Sequence, residues 1–242
     1  MESFAITDIG SRREVNQDYV YCNDNPVGLL PNLYIVADGM GGHKAGDFAS
    51  RFSVNEFEKE IKEQNARTII GSMEGAIRLV NERLLKEAAA EPDYEGMGTT
   101  FVAACIQESS LYILNIGDSR LYVLHETGTI RQITQDHSLV EDKIRRGEIE
   151  RKDAKNHPEK NVITRALGAA EKAIPDFFEV DLEAGDYILL CSDGLTNMVE
   201  DAIIKDVVLN QETAIQEKAE TLIKLANENG GRDNISIVLV HI

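Results

Sequence analysis

A disulfide framework is the first thing this chain lacks. Its three cysteines, Cys22, Cys105 and Cys191, lie in or beside apolar runs (Cys105 in FVAACI, Cys191 in YILLC), which reads as buried free thiols in a reducing compartment. No apolar run approaches the ~18 residues of a membrane span, and the opening MESFAITDIG has neither a basic leader nor an apolar h-region. A cytoplasmic chain with no membrane insertion is expected. Basic residues are short as well: 25 Lys and Arg against 42 Asp and Glu leave a formal charge of −17. Phosphate backbones are bound by basic surface, so this balance argues against a nucleic-acid partner. Internal repeats and low-complexity linkers are missing too, which leaves no sign of a solenoid or of separate modules.

What is present suits a packed core. With 43% apolar and 28% charged residues, the composition is that of an ordinary globular protein, and 1–242 is expected to be one domain. A short strand is expected over 4–7, then the polar loop GSRREVNQD, then a strand around 19–22. LYIVA, residues 33–37, is a continuous apolar run of strand length that stops abruptly at Asp38-Gly39-Met40-Gly41-Gly42. From about Lys44 the period turns helical: Ala45, Phe48, Ala49, Phe52, Phe57 and Ile61 share one face, and Ile70, Met73, Ile77, Val80 and Leu84 form the face of a second helix. Residues 99–134 read as an antiparallel meander, FVAACI, LYILNI, RLYVLH and IRQIT, with Gly117-Asp118-Ser119 as a hairpin turn. The charge-rich stretch 135–160 reads as a small, lightly packed helical insertion. Strands resume at FFEVDL and DYILLC. Helical spacing returns with Ile203, Ile204, Val207 and Val208, then with Ile215, Ala219, Leu222 and Ala226, until Asn229-Gly230-Gly231 stops it. ISIVLV closes the chain as a strand. This order predicts an α+β fold, a four-layer αββα sandwich in which central antiparallel β-sheets are flanked by antiparallel helix pairs.

Three aspartates recur where an apolar strand meets a loop: Asp38 after LYIVA, Asp193 after YILLCS, and Asp233 before ISIVLV. A carboxylate there can point into a cleft while the strand fixes its position. Glycine beside Asp38 and Asp193 lets backbone approach a bound ion, and the Gly39 carbonyl could itself be a ligand. Carboxylates, a carbonyl and water, with no thiolate or imidazole pair at metal spacing, select Mg2+ or Mn2+ over Zn2+. Arg13, a short distance before Asn16-Gln17-Asp18, could supply the planar fork that binds phosphate oxygens. Each feature alone has an ordinary reading: Asp-Gly is a common turn, and Arg13 is half of a surface basic pair.

The combination is more specific. Gly10-x-x-Arg13-x-x-Asn16-Gln17-Asp18, Val36-Ala37-Asp38-Gly39-Met40-Gly41-Gly42-His43, Gly98-Thr99-Thr100, Gly117-Asp118-Ser119-Arg120, Ser192-Asp193-Gly194-Leu195 and Gly231-Arg232-Asp233-Asn234 occur in that order. Together they resemble the motifs of the metal-dependent (PPM, type 2C) Ser/Thr protein phosphatases, bacterial branch, over essentially the whole chain. The resemblance implies that Asp38 bridges two Mg2+ or Mn2+ ions, that Asp193 and Asp233 complete the first site, and that the Gly39 carbonyl serves the second. It implies that Asp118 helps hold a third, weaker ion beside a flap over about 135–165. Asp18 would orient water, Arg13 would clamp the phosphoryl group, and Asn16, Gln17 and Asn234 would support them.

Three positions depart from the family pattern. Gln17 stands where many members have Glu, which weakens the second ion's hold. Met40 stands where eukaryotic relatives place a histidine proposed as general acid; His43 lies three residues on and reads as a helix start. Asn197 stands where many relatives have an aspartate for the third ion. The implied activity is hydrolysis of phosphoserine and phosphothreonine on proteins by a water activated at a two-metal centre. The implied partners are phosphorylated protein substrates and an opposing membrane-anchored Ser/Thr protein kinase, the phosphatase acting as a monomer. Gln17 and Asn197 motivate an alternative, a phosphatase-like scaffold or phospho-binding protein with impaired catalysis. A small-metabolite phosphatase is the other.

Overall fold

A computed structural model describes residues 1–42, 45–154 and 157–242. Its strands are β1 (Glu2–Asp8), β2 (Asp18–Asn23), β3 (Leu33–Met40), β4 (Gly98–Thr99), β5 (Phe101–Gln107), β6 (Ser110–Ile116), β7 (Arg120–His125), β8 (Thr129–Gln132), β9 (Asp176–Asp181), β10 (Tyr187–Cys191) and β11 (Ile235–His241). The α-helices are α1 (Ala45–Glu63), α2 (Ile69–Ala90), α3 (Leu139–Arg145), α4 (Arg151–Ala154), α5 (Asp193–Thr196), α6 (Asp201–Val208) and α7 (Ile215–Glu228). One sheet runs β1-β11-β10-β7-β8 and the other β2-β3-β5-β6-β9, with β4 paired to β3. Every pairing within the two sheets is antiparallel.

The apolar runs are continuous because both faces of the central strands are covered. In β3, Tyr34 and Val36 enter the core between the sheets, while Leu33, Ile35 and Ala37 face the core shared with α1 and α2. In β10, Ile188 and Leu190 point inward between the sheets, and Tyr187, Leu189 and Cys191 face the helices on the other side. Side chains alternate along a strand, so an uninterrupted apolar strand demands two apolar neighbours. Three stacked cores therefore make the four layers predicted. Each fully buried Val, Leu or Ile contributes roughly 1.5–3 kcal/mol, so these cores hold the strand ends firmly in place.

The structure corrects several expectations. The meander is split: β5 and β6 pair within one sheet, β7 and β8 within the other, and β6 takes β9 as its second partner. Gly117-Asp118-Ser119 is thus a crossing between sheets rather than a hairpin turn. Its tightness explains the glycine: Gly117 has φ +110, and a Cβ there would lie 2.6 Å from the Thr100 side chain. Helical faces are also narrower than the spacing suggests. Ala45, Ala49, Phe57 and Ile61 are fully buried, but Phe48 and Phe52 are half-buried and stack 5.2 Å apart at the layer's edge. Ile203 is exposed, whereas Ile204 and Val208 are buried.

The insertion is anchored at its stem. Ser138 bridges Ile163, Leu139 N–H donates to the Val162 carbonyl at 2.8 Å, and Thr164 N–H donates to the His137 carbonyl at 2.8 Å. Between these strand-like arms lie α3, capped by Ser138 accepting from Glu141 N–H, and α4.

Candidate metal centre

Four separate parts of the chain bring aspartates to one end of the two sheets. β2 and β3 run antiparallel with Asp18 opposite Asp38. β10 ends at Cys191 and is followed by Ser192 and Asp193; β11 begins just after Asp233 and Asn234; the crossing from β6 to β7 supplies Asp118. Asp193 is not in a plain acidic turn, as its Asp-Gly context suggests, but opens the one-turn helix α5. Gly194 is required there, since a Cβ would lie 1.9 Å from the Asn234 carbonyl oxygen.

The electrostatics follow from this convergence. Burial first, then the charges of Asp18, Asp193, Asp118 and Asp233, push the Asp38 carboxyl well above its ordinary range. Asp18 is pushed up to about 7, mainly by burial, against the opposing bonds of Ser236 and Ser192 and with added repulsion from Asp193 and Asp233. Asp193 rises to about 6 through burial and then Asp233. Asp118 rises well above the usual value by burial, then through Asp193 and Asp136. Carboxylates shift upward together only where they share a poorly solvated space without enough cations.

The supporting bonds are specific. Ser192 Oγ donates to Asp18 Oδ2 at 2.8 Å and accepts from Ser236 N–H at 3.0 Å. Asn197 Nδ2 donates to Asp193 Oδ2 at 2.8 Å, and Arg13 Nη2 donates to Asp233 Oδ2 at 2.8 Å. Asn16 accepts from Asp18 N–H at 3.1 Å and donates to Thr7 Oγ1 at 2.8 Å. Asn234 accepts from Gln17 N–H at 2.9 Å and donates to the carbonyls of Ile9 and Val15, which ties the Arg13 loop to the start of β11. The Gln17 carbonyl accepts from Gly39 N–H at 3.0 Å and from Ser50 Oγ at 2.6 Å. Gly39 packs so tightly on α1 that a Cβ would lie 2.0 Å from the Gly46 carbonyl oxygen. Met40 pairs with Gly98, and His43 lies outside the described residues.

Sequence spacing gives Ser192, Thr100 and Ser119 no role, although each lies within a quoted motif. Thr100 Oγ1 accepts from Asp38 N–H at 2.9 Å and lies 2.7 Å from Ser119 Oγ, so one hydroxyl links the Asp38 strand to the Asp118 crossing. A small polar residue buried next to an aspartate is the only sequence signal for such a link.

Among the described residues, no three Asp, Glu, His or Cys side chains are already gathered as a metal cage. The carboxylates are near enough to repel but are held on separate partners. The donor chemistry nonetheless fits a hard divalent cation. Asp18 Oδ1, Asp118 Oδ1 and Asp193 Oδ1 are buried with no hydrogen-bond partner among the described residues, and buried carboxylate oxygens are rarely left so. Oxygen donors alone select Mg2+ or Mn2+.

A four-layer sandwich with clustered aspartates at one end of its paired sheets suits a site for a hard divalent cation, and comparison with known proteins is specific. A family model described as Protein phosphatase 2C matches residues 10–222. The serine/threonine phosphatase stp of Listeria welshimeri is 44% identical over 227 residues, 90% of this chain and 89% of that protein. A Streptococcus agalactiae serine/threonine phosphatase structure superposes with a TM-score of 0.91 at 38% identity, covering 100% of this chain and 99% of the other. The catalytic domain of the serine/threonine phosphatase PstP, solved with two manganese ions, superposes at 0.85 with 33% identity, covering 98% and 96%. The chain belongs to the protein phosphatase 2C family of serine/threonine phosphatases. Among the described residues, no helix is long and apolar enough to cross a membrane.

Proposed function

We propose that the chain, as one catalytic domain and a monomer, hydrolyses phosphoserine and phosphothreonine on proteins, opposing a membrane-anchored Ser/Thr protein kinase. The observation that carries this reading is the convergence of Asp18, Asp38, Asp118 and Asp193 at one end of the two sheets, with three buried carboxylate oxygens left without a hydrogen-bond partner among the described residues. Two Mg2+ or Mn2+ ions would be held by Asp38 in common, the first also by Asp193 and Asp233 and the second by the Gly39 carbonyl, and Asp118 would help hold a third, weaker ion. When bound, the two cations supply an acidified water and offset charge on the phosphoryl oxygens.

The chain's own groups do the rest. Asp18, braced by Ser192, orients water in the cleft. Arg13 spends one N–H on Asp233 and presents its remaining donors to the phosphoryl oxygens, as a guanidinium fork does. Asn16, Gln17 and Asn234 hold the Arg13 loop against the aspartates. Positioning and electrostatics supply most of the rate in phosphoryl transfer.

The test is phosphate release with Mn2+ from a phosphothreonine peptide and from a sugar phosphate, with Asp38→Ala and Asp193→Ala as controls. Peptide turnover that both substitutions abolish supports the reading. Equal rates on the two substrates point to a small-metabolite phosphatase. Peptide binding without turnover points to a scaffold.

A further inference from the structure

Asp118 is loosely held for a site residue, because its buried Oδ1 has no hydrogen-bond partner among the described residues. Its aim therefore depends on the backbone at either side. After it, Ser119 Oγ lies 2.7 Å from Thr100 Oγ1. Before it, Gly117 N–H donates to His137 Nδ1 at 3.1 Å, and the Gly117 carbonyl accepts from His137 N–H at 2.9 Å.

This geometry sets the state of the imidazole. A backbone N–H can only donate, so Nδ1 is the acceptor and the ring proton sits on Nε2. Nε2 lies 3.0 Å from Asp176 Oδ2 and 3.3 Å from Arg165 Nη1; the Nε2 proton is directed to the nearer carboxylate, and Asp176 is fixed in turn by Arg165 Nη1, 3.0 Å from its Oδ1. The ring is 4% exposed, and burial holds it below the usual histidine range, which maintains the neutral form. His137 is also the first residue of the flap stem, its carbonyl accepting from Thr164 N–H.

We propose that His137 is the positioning residue for Asp118: oriented by Asp176, it grips the Gly117 N–H and so aims the next carboxylate into the cleft. Because the same residue begins the flap stem, the flap and Asp118 share one anchor. This inference rests on the metal-centre reading above.

The test separates the two ring nitrogens. His137→Asn keeps an acceptor near the Nδ1 position, whereas His137→Gln keeps only a group near Nε2. Mn2+ binding is measured by calorimetry, with phosphothreonine-peptide kinetics, for both variants, for Asp118→Ala and for the double variant His137→Gln/Asp118→Ala. Groups that orient ligands typically change affinity or activity about 10–100-fold. His137→Gln is expected to weaken the weakest Mn2+ step and lower kcat by about tenfold with KM little changed. His137→Asn should stay near wild type, and the double variant should match Asp118→Ala. Equal losses in the two histidine variants, or a double variant worse than Asp118→Ala by the full His137→Gln factor, overturn the inference and leave His137 a packing residue. Should His137→Gln not fold, Asp176→Ala, which frees the ring to take its other tautomer, carries the same comparison. A wild type that takes up no Mn2+ defeats the metal-centre reading itself, whereas normal uptake with unaffected variants defeats this inference alone.

Discussion

Arg13 Nη2 and Asp233 Oδ2 meet at 2.8 Å from positions 220 residues apart in the chain. The pair joins the phosphate-binding candidate to a metal-ligand candidate, and Asp233 is the first cause of the raised Arg13 pKa. Its partners are 48% and 35% exposed, so the pair itself contributes at most about 1 kcal/mol to stability. Its value is geometric, holding the guanidinium over the aspartates.

Arg13→Ala should therefore leave the melting temperature almost unchanged while lowering kcat/KM for a phosphothreonine peptide by about ten- to hundredfold, the worth of one or two charge-assisted bonds. Arg13→Lys should recover little, because an ammonium lacks the planar fork. Steady-state kinetics check this, and an unchanged kcat/KM would remove Arg13 from the site.

Ser192→Ala removes one hydroxyl that serves both Asp18 Oδ2 and Ser236 N–H. Leaving buried polar groups unpaired costs about 1–3 kcal/mol, so the melting temperature should fall by several degrees. Differential scanning calorimetry decides; a shift within experimental error would mean that water replaces the hydroxyl.

The metal-free protein should become more stable as pH falls from above 7 toward 4. Asp18 at about 7 and Asp193 at about 6 are both raised above the ordinary carboxylate value, so the folded state holds protons that the unfolded chain has lost. In that window stability declines as pH rises. Mn2+ binding requires the ionised carboxylates, so its stabilising effect should grow with pH instead. Melting curves in EDTA and in Mn2+ at several pH values test both slopes; parallel slopes would contradict a shared cluster.

Asn197→Asp replaces a donor to Asp193 Oδ2 with one more carboxylate beside the cluster. Metal-free stability should drop by about 1 kcal/mol or more, seen as a fall of about 2–4 °C, while the gain on adding Mn2+ should increase. A variant less stable both with and without Mn2+ would show that position 197 faces no cation.

The strand ends were readable because LYIVA and YILLC are apolar on both faces, and only strands between two layers need that pattern. Asp38 and Asp193 followed directly. The crossing at Gly117-Asp118-Ser119 was not readable, since a short Gly-Asp turn between apolar strands looks the same whether the next strand joins its neighbour or the opposite sheet. Only the competition of β9 for β6 decides it. His137 was hidden for a different reason: it stands in a charge-rich stretch, and its meaning comes from Gly117 and Asp176, which are 20 and 39 positions away. The role proposed for Asp118 toward a cation rests on a resemblance rather than on residue chemistry.

The most direct measurement is a calorimetric titration of Mn2+ into the wild type and into Asp38→Asn. Two strongly bound ions in the wild type, both lost or greatly weakened in the variant, are predicted, because the proposed centre makes Asp38 the carboxylate its two sites share. A wild type that takes up no Mn2+, or a variant that binds it as the wild type does, would contradict the account.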